Sequence, residues 1–202
     1  MVALKCVREQ RTNMSRDISD AVLDGDPYEE ASALTRRVFP VSLTGKIRLC
    51  SLVLLSAVTL APAISYRRDL IGTLEPAAAG STPALVSVVA LGLAVTFLFG
   101  LAFVRHRRLL DVREFDFESA QRFIRFEDLL MALAVSSGFL FVLVPVSLVL
   151  VGAASTETVV WFYDLDIRLY RPAGNEFVTA RLVSASGAAL AAALSVVDLL
   201  TR

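Results

Sequence analysis

The sequence predicts an all-α membrane protein. It reads as four transmembrane helices in a bundle, preceded by short cytoplasmic N-terminal helices, with a short extended segment in the outer 154–177 loop. Three observations lead there. Of 202 residues, 55% are hydrophobic, mean hydropathy is +0.63, and the apolar residues are gathered into blocks. One block, Leu129–Ala153, runs for twenty-five residues without a charge, and about 20 apolar residues suffice for a helix to cross the roughly 30 Å hydrocarbon core of a bilayer. The third is the placing of basic residues: the formal net charge is zero, yet Lys and Arg are spread unevenly over the connections.

Residues 1–46 are expected to form an arm and residues 47–202 the transmembrane domain. In the arm, Ser15 can cap a short helix through Leu23, and Asp24-Gly25-Asp26-Pro27 has the composition of a turn. Asp26 as N-cap, Pro27 at the first helical position and Glu29 at the third then open a second helix. Tyr28, Ala31, Leu34 and Val38 fall on one face of it, so the arm should lie against the membrane surface or the protein's own loops. The turn is wrong for a nucleic-acid-binding helix-turn-helix, and the acids balance the bases, so no nucleic acid is expected. Asp24 and Asp26 alone are too few oxygen ligands for an EF-hand loop. Cys6 and Cys50 lack zinc or disulfide spacing and read as free thiols.

The spans are expected at about 49–66, 84–104, 129–153 and 182–200. Lys46 and Arg48 stand before the first, placed to snorkel towards headgroups, and Pro62 lies in its last turn, where a lost backbone bond is tolerated. Ser81-Thr82-Pro83 opens the second, which ends at Arg105-His106-Arg107-Arg108. Glu127 and Asp128 precede the third, where carboxylates favour a helix N-terminus. That span should continue an interfacial helix starting near Glu118, and Pro145 should kink it by removing the bond to the Phe141 carbonyl. Ser136-Ser137-Gly138 adds room for a neighbour. The fourth span carries Ser184, Ala188 and Ala192 in one row and Gly187, Ala191 and Ser195 in the next. Small residues four apart let helix backbones approach closely, so this span is expected to be the most enclosed.

Eight Lys and Arg residues lie in 1–48, two in 67–82, six in 105–125, and Arg168, Arg171 and Arg181 follow. The positive-inside rule then places the N-terminus, the central loop and the C-terminus in the cytoplasm. In the central loop Arg105, Arg107, Arg108, Arg122 and Arg125 are candidate contacts for lipid headgroups or a partner. His106, the only histidine, reads as one more boundary residue. In the outer loop Trp161, Phe162 and Tyr163 form an interfacial belt. Leu165, Ile167 and Leu169 then alternate with Asp166, Arg168 and Tyr170, one set towards membrane or protein and the other towards water.

Asp164 and Asp166 make a DxD, but three residues are a weak metal motif, and a lipid enzyme using Asp164, Asp166 and Arg168 ranks last among the readings. No Ser/His/Asp arrangement or Gly-rich phosphate loop can be assembled. No catalytic, cofactor or metal residue is assigned. The spans hold hydroxyls, Ser51, Ser56, Thr59, Thr96, Ser136, Ser137 and Ser147, but no charge near mid-membrane, which counts against a proton-coupled transporter. The expected function is that of a non-catalytic accessory, scaffold or interaction protein of a prokaryotic cytoplasmic membrane, contacting lipids, other membrane proteins or itself. The competing class is a small transporter or channel subunit. The charged first forty residues contain no apolar signal-peptide core, so the first span should act as its own anchor. Met14-Ser15-Arg16 has the composition of a chain start. Intact mass of the natively expressed protein decides between Met1 and Met14: a mass lacking residues 1–13 supports the Met14 start, and one including them overturns it.

Overall fold

The computed structural model describes residues 31, 34, 35, 38–66, 69, 73, 83–112, 116–165, 170, 171 and 178–200. Among these the regular structure is helical, and four helices are long and apolar enough to cross a membrane: Leu43–Tyr66, Ala84–Leu109, Phe117–Ala154 and Ala180–Leu200. The expected helices before residue 31, the alternating positions 166–169 and the Met14 start lie outside the described residues. The chain divides into two units, one of Met1–Val41 with His106–Met131, the other of Ser42–Arg105 with Ala132–Arg202.

In the second unit the first span begins with α1, Leu43–Ser56, six residues earlier than expected. The Ser42 hydroxyl caps it by accepting from the Gly45 amide at 3.2 Å. Lys46 is therefore one turn inside the helix and fully buried, while Arg48 is exposed. The expected snorkelling position thus fits Arg48 and not Lys46. A tight 3₁₀ turn, Ala57–Thr59, then interrupts the span before α2, Leu60–Tyr66. Pro62 explains the interruption, since it has no amide for the Val58 carbonyl and its ring crowds that oxygen.

A neighbouring helix mends the gap. The fourth span is α7, Ala180–Leu200, and its Ser184 hydroxyl donates to the Ala57 carbonyl and accepts from the Ala61 amide, both at 3.0 Å. In an unbroken helix those two backbone groups would bond each other; here the hydroxyl bridges them. One turn on, a Cβ at Gly187 would fall 2.7 Å from the Leu54 carbonyl oxygen, so only glycine permits this approach. Ser184 opposite Ala57 and Ala61, with Gly187 opposite Leu54, makes α1–α2 and α7 antiparallel.

Of the small residues expected to pack, Ser184, Gly187 and Ala191 are buried, in a stripe with Val183, Leu194 and Asp198. Ala188, Ala192 and Ser195 are exposed, because the buried face follows a spacing of three and four rather than either row of fours. The fourth span is also no more enclosed than the others, as each is 33% buried.

The second span, α3, is Ala84–Val112. The third opens with α4, Phe117–Gly138, passes through a π-helical turn at Phe139–Leu143, and ends as α5, Val144–Ala154. The expected kink site is thus occupied by a π turn, in which the Val144 amide reaches back to the Phe139 carbonyl. The wider turn directly precedes Pro145, which cannot donate to the Phe141 carbonyl. Gly92 of α3 packs onto this place, where a Cβ would lie 2.8 Å from the Phe141 oxygen.

Ser155 caps a further helix, α6, Thr156–Asp164, by accepting from the Thr158 amide at 3.3 Å. Sequence reading saw only an aromatic belt there, although Ser155 with Glu157 in the first turn is a helix-start signal. Tyr170 and Val159 form a fully buried cluster against Ile64, Leu85 and Leu148. Tyr170 was expected to face water and is instead 0% exposed. The Tyr170 hydroxyl reaches the space that Gly152 leaves vacant, and the Arg171 carbonyl accepts from the Ala84 amide at 2.7 Å.

Two substitutions test the first-to-fourth span contact. Ser184→Ala should cost about 1 kcal/mol, the scale of a hydrogen bond between membrane helices. Gly187→Val should cost more, about 1–3 kcal/mol, by forcing the backbones apart. Reversible unfolding in mixed micelles measures both.

Candidate functional site

The first unit gathers the most distinctive polar side chains, and the local helix boundaries explain why. Sequence reading ended the second span at Val104; instead α3 runs on through the basic cluster to Val112, as Arg and Leu are good helix formers. Helix α4 restarts at Phe117, with the Asp116 carbonyl accepting from the Ala120 amide at 2.9 Å. Its side chain is hydrogen-bonded to Ser119, which holds the Asp116 carboxyl below the usual carboxylate range. A helical hairpin results, and the inward face of α4 carries Ala120, Ile124, Glu127 and Met131, all buried.

His106 faces this helix. It is 3% exposed and stacks on Phe123 with ring centroids 3.6 Å apart and planes 13° from parallel. Phe126 flanks it at 6.3 Å, tilted by 36°. The Glu127 carboxylate lies 3.6 Å from Nε2, too far for a hydrogen bond but within ion-pair range. Nε2 has no hydrogen-bond partner among the described residues. His106 is thus a buried polar residue near the end of its span, and one expectation is corrected: Glu127 is not at a helix N-terminus, because the helix began ten residues earlier. The spacing of Ala120, Ile124, Glu127 and Met131 at three and four was the available signal, since it puts a carboxylate on an apolar stripe.

The arm meets the same helix: Ala31 forms a buried cluster with Ala120 and Ile124, and the Val38 amide donates to Asp128 Oδ2 at 2.9 Å. Leu34 and Val38 are exposed, so the expected apolar stripe is buried at Ala31 only among its described members. Of the candidate lipid or partner contacts, Arg105, Arg108, Arg122 and Arg125 are exposed and Arg107 is half-buried. Arg122 pairs with Glu118 one turn before it, an exposed contact that contributes little to stability.

Chemically, a histidine set against a carboxylate in an aromatic, water-poor setting can hold or pass a proton, and the Phe123 stack fixes its ring plane. Among the described residues no three His, Cys, Asp or Glu side chains gather as a metal site. Asp164 is exposed at the end of α6, and its expected associates Asp166 and Arg168 lie outside the described residues. Comparison with family models, curated proteins and solved structures finds no match.

His106→Phe should keep the stack on Phe123, and His106→Ala should lose it. The alanine variant is expected to be the less stable by about 1 kcal/mol, the scale of an aromatic pair, in thermal unfolding in detergent. Asp116 gives a pH test. Its folded-state pKa lies below the unfolded one, so its stabilisation is present above the ordinary carboxylate value and is lost as pH falls through the lower folded-state value. Ser119→Ala should move its titration, followed by carboxyl ¹³C NMR, up towards 3.8.

Proposed function

We propose that the chain is a non-catalytic accessory or scaffold protein of a prokaryotic cytoplasmic membrane, a four-helix bundle with both termini and the hairpin at 105–125 inside the cell. The observation that carries this reading is the closure of the seams between spans. Gly92 meets the Phe141 backbone, Gly138 meets Val53, and Gly187 meets Leu54, each with no room for another carbon without displacement. Ser136 and Ser147 are exposed on the outside of the second unit rather than turned towards these seams. The cavity of about 300 Å³ beside the π turn is lined by Phe139, Leu143, Leu148, Val151 and Phe162, with Ser147 as its hydroxyl. Such a lining suits hydrocarbon, and the exposed Arg105, Arg108 and Arg125 of the hairpin are placed for anionic headgroups or an acidic partner.

The second reading, a transporter or channel subunit, is favoured by one feature. Thr96 is fully buried, its hydroxyl has no hydrogen-bond partner among the described residues, and it adjoins Gly138 just before the π turn. Turns of this kind recur at functional sites.

Proteoliposomes separate the two. On the scaffold reading, purified protein leaves imposed proton, sodium and potassium gradients intact; a gradient that collapses with wild type and survives with Thr96→Val establishes the transport reading instead. Orientation is checked by reporter fusions after residue 113, where cytoplasmic signal is expected and external signal overturns the topology.

A further inference from the structure

We propose that the end of the first and fourth spans forms a binding site for one anionic phospholipid, with Arg48 holding the headgroup phosphate. The site is a groove of about 400 Å³ between α1 and α7, all of it within one unit. Its lining changes in character along its length. By the antiparallel register that sets Gly187 opposite Leu54, Ser195, Asp198 and Leu199 lie at the Arg48 end, Ser51 follows one turn further in, and Leu52 and Leu55 lie at the far end. From Arg48 to Leu55 the helix rises about 10 Å, so a charged mouth leads into an apolar trough deep enough for the upper part of an acyl chain.

The charges select the ligand. Asp198 is 5% exposed and already engaged in an interaction of its own, whereas Arg48 is exposed and no acidic side chain pairs with it among the described residues. The Ser51 and Ser195 hydroxyls are returned to their own helices, bonding the Ile47 carbonyl at 3.2 Å and the Ala191 carbonyl at 2.9 Å. The guanidinium is therefore the group the groove presents to a headgroup, and its planar fork matches a phosphate. Leu52 and Leu55 are 66% and 53% exposed, surface that a hydrocarbon chain covers in a membrane. The occupant follows from that polarity: a phosphate at the mouth, a chain below, and net negative charge to complement Arg48. The small side chain of Ser195 keeps the groove open beside Arg48.

The proposal rests on the membrane reading above, and the experiment tests both. Alkaline extraction comes first: release of the protein into the soluble fraction overturns both. Protein retained with the membranes is delipidated, and native mass spectrometry follows binding of added phosphatidylglycerol or phosphatidylcholine. Wild type should hold one phosphatidylglycerol in preference to phosphatidylcholine. Arg48→Gln should weaken phosphatidylglycerol binding by about fivefold, the factor for one cationic contact at a membrane surface, and leave phosphatidylcholine unchanged. Ser195→Leu, on an exposed position, should obstruct the trough and weaken both, while Ser136→Leu on the third span should alter neither. Equal retention of the two lipids by wild type, or retention unaffected by Arg48→Gln in a protein of unchanged melting temperature, overturns the proposal alone.

Discussion

A helix in hydrocarbon has no water to satisfy a backbone group that loses its partner, and this chain places a proline in two of its four spans. The arrangement of the second unit follows from how each lost bond is accommodated. At Pro62 the first span tightens into a 3₁₀ turn, and Ser184 supplies a hydroxyl that bridges Ala57 and Ala61. At Pro145 the third span widens into a π turn, and Gly92 lets the second span lie directly on the Phe141 carbonyl. In both cases a neighbouring helix lies against the irregular backbone, and the residue that allows it is a serine or a glycine on that helix.

Much of the fold could be read from apolar run length alone. The four spans, the continuity of the third with a helix starting near Glu118, and the importance of the Pro145 region follow from charge-free runs and from the chemistry of proline. Helix ends were less legible. Ser42 and Ser155 start helices whose first turns contain Lys46 or Glu157, and hydropathy discounts such turns even though their caps are sound. The same weighting cut the second span at Arg105, although arginine favours helix as readily as leucine.

The polar site was hidden for a different reason. His106 and Glu127 are far apart in sequence, and only the extension of both hairpin helices beyond the apolar runs sets them face to face. Each looked like an ordinary boundary charge when judged by hydropathy. Similarly, Tyr170 alternates with leucine and isoleucine in a pattern that assigns it to water, yet Gly152 leaves a space that accepts its ring and hydroxyl. Periodicity reports which residues share a face, and only the neighbours decide which face is covered.

The Ser184 bridge also bears on how such a chain is made. The serine and the Ala61 amide it serves are 123 residues apart, so a ribosome releases the broken turn of the first span long before the hydroxyl exists. Until the fourth span docks, the Ala57 carbonyl and the Ala61 amide lack the hydroxyl that joins them. The fourth span is in that sense a keystone: the turn of the first span stays incomplete until that helix docks.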